Sequence, residues 1–438
     1  MLILVKTFKK SRNKPKAVKQ ETRKKIREIK KQVLSEIKPE KEPKRVKESL
    51  SKINCNIKNL GIDADAVVGG SYAKNTHLKN DHDCDIFVRF SKKYDEGLLP
   101  EMLSKILKGF SPIRVKGSRD YFYFREASLV FEVVPVIRIS KPEEAKNTTD
   151  ASPFHVDWLS QFPDVKDEIR VAKLFMKAQK VYGAESYING FSGHVVDLLL
   201  AHYKSFEKLV EEASKWTLPL IIDIEKHYKR KDPLFYMNKE KVRNQFVVVD
   251  PICRERNAAA ALSTEKIERF KLRCKEFLEK PEKSFFNVSW LNEKKILSGR
   301  KRENTVIIKA LPFEKKSPDV AGTKAFKVYQ YVLSQMAAHG FIVKDSGFEW
   351  NKIDPAIMFI ELKSKKIEKT KITAGPPDKK KFSRDIEKFK KKHPSFFIKG
   401  GKYYAKVKRE HTDAEKLAMA AISEKRIKEK CEKIWVEK

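Results

Sequence analysis

Cysteine is scarce in this chain, with only five among 438 residues: Cys55, Cys84, Cys253, Cys274 and Cys431. They are odd in number, scattered, and never spaced as Cys-x-x-Cys. That argues against a disulfide framework and against a structural zinc site, and it fits a reducing, cytoplasmic setting. Long apolar runs are also missing. No stretch approaches the ~20 residues of a membrane-spanning helix, so no membrane partner is expected. The opening run Met1–Val5 stops at Lys6, short of the ~7–15 apolar residues of a signal-peptide core. No internal repeat is visible. Negative charge is in deficit: 59 Asp and Glu stand against 95 Lys and Arg, a formal net charge of +36. A chain this basic is expected to meet a polyanion, with nucleic acid the first candidate and an anionic surface the second.

What is present suffices for several cores. Hydrophobic residues make up 41% of the chain and include 27 Phe, and the length suggests two to four domains. Residues 1–20 read as a flexible basic arm. Ile26, Ile29, Val33, Leu34 and Ile37 recur near helical spacing, which predicts a helix over 21–38, broken by Pro39 and Pro43. Val46, Leu50, Ile53 and Ile57 predict a second helix over 44–58. From Ala64 the pattern turns to strands: 66–68, 84–90, and a hairpin of 121–124 with 129–139, with a helix over 101–110 between them. These define an α+β region ending near 150. Residues 151–280 read as helical, with helices over 165–181, 193–214 and 264–279. Residues 281–438 return to α+β: strands at 305–311, 341–343 and 356–362, a helix over 323–339, and a Lys-dense tail from 363. Gly375-Pro376-Pro377 reads as a rigid turn.

The chemistry-bearing pattern is Gly69-Gly70-Ser71 followed at a distance by Asp83-Cys84-Asp85 and an apolar run. Along a strand, residues i and i+2 share a side, so Asp83 and Asp85 project together while Cys84 faces away. Two adjacent carboxylates raise each other's pKa unless a cation sits between them. Mg²⁺ is the natural choice, being hard and oxygen-seeking. Glu132 is a lone charge in the apolar run 131–136, costly to bury without a partner. Three carboxylates from two strands suit a site for two metal ions. Upstream, the glycines let backbone approach a phosphate, with Ser71 as a hydroxyl donor and Lys74 as a point charge. Alone, either motif would read as a surface turn; their combination carries the reading. Gly190-Phe191-Ser192-Gly193-His194 partly imitates a hydrolase nucleophile turn, but capping of a helix by Ser192 explains it better.

These residues resemble the DNA polymerase β nucleotidyltransferase superfamily. More narrowly, the chain resembles archaeal, class I CCA-adding enzymes through GGSYAKNTHLKNDHDCDIFV (69–88), FEVVPV (131–136), DASPFHVDWL (150–159), YGAE (182–185), NGFSG (189–193) and VVVDPICRERNAAAALS (247–263). The resemblance implies a polymerase β-like palm over 21–150 that includes the N-terminal helices. A helical nucleotide-binding domain over 151–280 and a tRNA-binding α+β region over 281–438 would follow it. It implies addition of C, C and A to the tRNA 3′ end from CTP and ATP, two Mg²⁺ ions held by Asp83, Asp85 and Glu132, and a homodimer. It places Ser71 and Lys74 at the triphosphate, Ser152 and His155 near the nucleotide, Lys173 and Tyr182 at phosphate and sugar, and Arg256 at base choice. Two positions depart from the family pattern: Glu132 stands where Asp is usual, and Lys74 where Arg is usual.

Read on their own, the weaker sites stay open. Lys173 reads as a solvated helix charge, Tyr182 as a partly buried aromatic and His155 as a core histidine; Arg256 could pair with Asp250 or Glu255. In the tail, Phe396 to Tyr404 interleaves aromatics with Lys between the runs 379–381 and 390–392. That suits RNA contact or a hairpin with core aromatics. Two alternatives remain: another RNA 3′-nucleotidyltransferase such as a poly(A) or oligoadenylate polymerase, and a catalytically silent RNA-binding protein.

Overall fold

The computed structural model describes residues 20–39, 44–79, 81–117, 119–229, 231–313 and 317–437. The basic arm lies outside them apart from Gln20, as does Pro43. The chain divides into two units, Met1–Val288 and Ser289–Lys438.

In the first unit, α1 (Gln20–Ile37) buries Ile26, Ile29 and Val33, and α2 (Lys44–Asn59) buries Val46, Ile53 and Ile57. These are the apolar stripes of two amphipathic helices. They join different cores: α1 packs with the helical part of the unit, α2 with its sheet. That sheet has strands β1 (Ala64–Val68), β2 (Asp83–Phe90), β3 (Ile113–Val115), β4 (Tyr121–Glu126) and β5 (Leu129–Ile137) in the order β1-β2-β5-β4-β3. Only the central β2–β5 pair is parallel. A parallel neighbour requires a crossover, here residues 91–128. Helix α3 (Gly70–Ala73) follows β1, and α4 (Leu99–Ile106) lies in the crossover. Cys84, Ile86, Val88 and Phe90 face the core with Phe131 and Val133.

The helical part comprises α5 (Ser152–Ser160), α6 (Lys166–Ala178), α7 (Gly193–Tyr203), α8 (Phe206–Ala213), the short α9 (Pro233–Tyr236) and α10 (Thr264–Glu279). The parallel pair β6 (Leu220–Ile222) and β7 (Phe246–Val248) accompanies them. The single helix expected over 193–214 is two. Lys204 adopts a left-handed conformation, φ +69°, and the Ser205 hydroxyl caps α8 by accepting from the Lys208 N–H. A serine at an N-cap satisfies an orphan helix donor, which makes the break local and cheap. Aromatic packing around Phe175, Phe191 and Phe270 holds this core together.

In the second unit, β8 (Thr305–Leu311), β9 (Val343–Glu349), β10 (Ala356–Leu362) and β14 (Lys433–Glu437) form an antiparallel sheet in the order β14-β8-β10-β9. It packs against α12 (Pro318–Ala338) and α14 (Ala414–Ser423), with α11 (Glu293–Leu297) preceding and α15 (Lys425–Lys428) following. The strand expected at 341–343 begins only at Val343. A smaller sheet of β11 (Thr370–Pro377), β12 (Phe396–Lys399) and β13 (Lys402–Lys408) carries α13 (Ser383–Lys392). Gly375-Pro376-Pro377 is the irregular end of β11 rather than a turn; its pairing with β13 shifts register between Ala374 and Pro377. Proline cannot donate to the ladder, so a register break there is expected. A Cβ on Gly375 would lie 2.8 Å from the Phe389 ring, so glycine lets α13 pack close. No described helix is long and apolar enough to cross a membrane.

Candidate active site

The parallel β2–β5 pairing sets the carboxylates. Asp85 is the register partner of Glu132, and Asp83 that of Val130. Alternation therefore puts Asp83, Asp85 and Glu132 on one face of the sheet, opposite the core residues Cys84 and Ile86. Phe87, Val134 and Val136 continue that face as a small apolar cluster. Asp83 and Glu132 are exposed, and Asp85 is half-buried. Glu132 is thus not the buried charge that its apolar neighbours suggested: the strand is buried around it while its own side chain points to the open face.

The Gly69-Gly70 turn rests directly on Asp85. The Gly69 N–H donates to the Asp85 carbonyl at 2.8 Å. Gly70 has φ +53°, and a Cβ there would fall 1.6 Å from Asp85 Oδ2. A Cβ on Gly69 would fall 2.2 Å from the Phe87 ring. Only glycine permits this approach. Burial first, and the Asp83 charge second, push the Asp85 carboxyl up to about 6; Lys74 and Lys173 pull the other way. Carboxylates this close repel, and a cation between them would relieve the repulsion.

Helix α7 ties two further groups to this centre. Asp197, 3% exposed, accepts from Lys74 Nζ at 2.8 Å. Lys74 therefore points into a buried ion pair rather than standing free. Near the start of the same helix, His194 Nε2 donates to Asp250 Oδ2, 3.1 Å away. His155 Nε2 lies 3.0 Å from Asp250 Oδ1, and Arg256 Nη1 donates to Asp250 Oδ2 at 2.8 Å. The backbone N–H groups of Ile252 and Cys253 also donate to Asp250. Burial would raise this carboxyl, but the hydrogen bonds from His155 and His194 hold it far below its usual range. Burial lowers His194 to about 4, so it is neutral near pH 7.

The remaining residues fall around these two clusters. Lys173 is buried, with Nζ 3.1 Å from both Thr76 O and Thr76 Oγ1, and burial lowers its pKa. It pins the loop after α3 to α6, as Arg170 does through His77 O and Asn75. It is not the solvated helix charge of the local reading. Tyr182 lies past the end of α6 and bridges Phe191; burial, and then Asp81, raise its phenol. Ser152 opens α5. The position of α5 is fixed by Asp150, which accepts from Arg119 and from the Ile137 N–H at the end of β5. Ser71 is half-buried in α3, beside Asp85's turn. The Ser192 hydroxyl accepts from the Val195 N–H and caps α7, which accounts for the hydrolase-like motif. Sequence reasoning met His194 and nearby Asp197 only through the hydrolase-like motif it set aside, and Asp250 only as a partner for Arg256.

Comparison with known proteins bears on the family of the chain. A family model described as tRNA nucleotidyltransferase, second domain, matches residues 167–287. Another, described as CCA-adding enzyme, C-terminal domain, matches residues 305–433. The chain is 39% identical over 203 residues to a CCA-adding enzyme of Nanoarchaeum equitans, a match covering 45% of this chain and only 51% of that one. It is 29% identical over 419 residues to a CCA-adding enzyme of Saccharolobus islandicus, covering 93% of this chain and 95% of that one. Among solved structures, the Cid1 poly(U) polymerase aligns at TM-score 0.50 and 14% identity, over 62% of this chain and 100% of that one, a likeness of fold. With its middle and C-terminal parts matched to models of tRNA nucleotidyltransferase and CCA-adding enzyme domains and 93% of its length to an archaeal CCA-adding enzyme, the chain belongs to the archaeal CCA-adding enzymes, tRNA nucleotidyltransferases with a polymerase β-like fold.

Proposed function

We propose that this protein adds C, C and A in turn to the 3′ end of tRNA, taking CTP and ATP and releasing pyrophosphate. The observation that carries the proposal is the β2–β5 register, which sets Asp83, Asp85 and Glu132 side by side under the Gly69-Gly70 turn. Three hard oxygen donors, one raised to about 6 by burial and its neighbour, fit Mg²⁺. Bound by these three residues, two such ions would acidify the attacking 3′-hydroxyl and neutralise the leaving pyrophosphate. The longer arm of Glu132 suits its exposed position on the same face.

The chain's own residues supply the rest. The Gly69-Gly70 backbone and Ser71 receive the triphosphate, and Lys74 places positive charge beside it while anchored to Asp197. Asp250 holds His155, His194 and Arg256 in one arrangement, so that Arg256 meets the base with its guanidinium already oriented. Lys173 and Tyr182 fix the floor between the clusters. The tail supplies RNA affinity: Tyr403 is core, but Phe397 is 40% exposed and its ring lies 5.7 Å from Tyr404. Alternation puts Lys402, Lys406 and Lys408 on the Tyr404 face. The protein works in the cytoplasm and, by its family, as a homodimer.

The test is incorporation of labelled CTP and ATP, with Mg²⁺, into tRNA transcripts lacking CCA, ending in C, or ending in CC, beside Asp85→Ala. Stepwise addition that stops after A, and is lost in the variant, supports the proposal. ATP-only or unbounded addition would assign a polymerase. Binding without incorporation would assign a silent RNA-binding protein.

A further inference from the structure

A second cluster of metal-ligating groups lies far along the chain from the carboxylates, in the C-terminal unit. His339 ends α12, while Glu410 and His411 lie in the segment joining β13 to α14. His339 Nε2 is 4.0 Å from Glu410 Oε2, and His411 Nε2 is 4.0 Å from Glu410 Oε1. One donor atom from each residue lies within 4.8 Å of the others. We propose that His339, Glu410 and His411 form a site for one divalent transition-metal ion of the zinc class, joining the end of α12 to the exit of the tail sheet.

Several independent features support this. His339 Nδ1 lies 3.0 Å from the Gln335 carbonyl. A carbonyl can only accept, so Nδ1 carries a proton, and Nε2 is the nitrogen left to face Glu410. A carbonyl holding one imidazole nitrogen is the usual support of a ligating histidine. At 4.0 Å the ring nitrogen and the carboxylate are too far apart for a hydrogen bond, which leaves room for a cation between them. Metal–nitrogen and metal–oxygen bonds of about 2.0–2.2 Å span at most ~4.4 Å end to end, so an ion fits between Glu410 and either histidine. Small rotations then close the angles. Glu410, 81% exposed in its side chain, is free to make them.

The surrounding backbone holds the donors in place. The Arg409 N–H donates to the Lys369 carbonyl and the Ile367 N–H to the Thr412 carbonyl, clamping 410 and 411 on both sides. Arg409 Nη1 donates to the His339 carbonyl; its charge opposes a cation here, while the C-terminal dipole of the 21-residue α12 favours one. Two imidazoles with one carboxylate, leaving positions open to water, match zinc, nickel or copper rather than magnesium. The scattered cysteines bear only on thiolate sites.

The full chain, stripped of metal and held in excess Mg²⁺, is titrated with Zn²⁺ by calorimetry and with Co²⁺ by visible absorption. The other cluster with this donor geometry among the described residues, His155, His194 and Asp250, is controlled by His194→Asn. The His339→Gln, His411→Asn double variant is expected to bind one Zn²⁺ equivalent fewer than wild type and to lose cobalt bands that His194→Asn retains. Glu410→Gln, at an exposed position, is expected to weaken that equivalent by more than tenfold with an unchanged circular dichroism spectrum. Equal Zn²⁺ stoichiometry and affinity in wild type, the double variant and Glu410→Gln would overturn the proposal.

Discussion

Asp85 is the most informative side chain to neutralise, because the proposed chemistry uses its charge and its surroundings oppose it. Its folded-state pKa is about 6 against 3.8 for the free group. Below 3.8 the residue is protonated in both the folded and unfolded chain and costs nothing. Between 3.8 and about 6 the folded chain binds the proton more tightly, so stability falls as pH rises. Above 6 the full cost is present, about 3 kcal/mol at 1.36 kcal/mol per tenfold difference in proton affinity. In Asp85→Asn this term vanishes while every other carboxylate is retained. Urea unfolding of both proteins in EDTA, from pH 4 to pH 8, therefore isolates it in the difference between the curves. Relative to the variant, wild type should lose about 2–3 kcal/mol across that range, mostly between pH 4 and 6. Mg²⁺ at pH 8 should recover part of the loss in wild type and none in Asp85→Asn. Parallel stability curves would refute the argument that a cation relieves a crowded, half-buried carboxylate.

Four further outcomes are expected. Gly70→Ala should leave the protein folded but cut kcat by on the order of 100-fold, since its Cβ would displace Asp85 and misplacement by ~1 Å costs that much; steady-state kinetics at saturating nucleotide checks it. Lys74→Met should destabilise the fold by about 3–5 kcal/mol in urea by stranding buried Asp197, and the double variant Lys74→Met, Asp197→Leu should recover most of it. Asp250→Asn should raise the nucleotide KM by on the order of tenfold or more, since a hydrogen bond to a charged group contributes about 1.5–3 kcal/mol and Arg256 loses one. On the tail sheet, Lys406→Ala should lower the slope of log affinity for tRNA against log salt by just under about one unit if it contacts a phosphate. Phe397→Ala should weaken binding by about 1–3 kcal/mol with the slope unchanged.

Much of this was legible where the information is local. The apolar stripe Ile26, Ile29, Val33 specified α1, and alternation in 83–90 placed Asp83 and Asp85 together. Ser192 could be read as a helix cap because capping is a short-range event. The break at Lys204 was not, since nothing in a lysine announces a left-handed conformation. Glu132 was found as a residue but misread as buried, because exposure depends on which sheet face stays open. Asp250 and Asp197 take their meaning from partners 95 and 123 residues away. Periodicity says nothing about such convergence; only the fold brings the partners together.

The parallel pairing of β2 with β5 has a consequence for how the protein comes into being. Asp85 and Glu132 become neighbours only after residues 91–128 have folded out and back, which includes α4, β3 and β4. Loop closure of that length, and a parallel contact of high sequence separation, form late and slowly. A growing chain that has displayed Asp83 and Asp85 but not yet added β5 has half a centre and no paired register. A one-residue slip of β5 would turn Glu132 into the core and Phe131 outward. If the carboxylates act as proposed, competence for nucleotide transfer is therefore a readout of correct strand order: an active molecule has completed the longest-range pairing of this sheet.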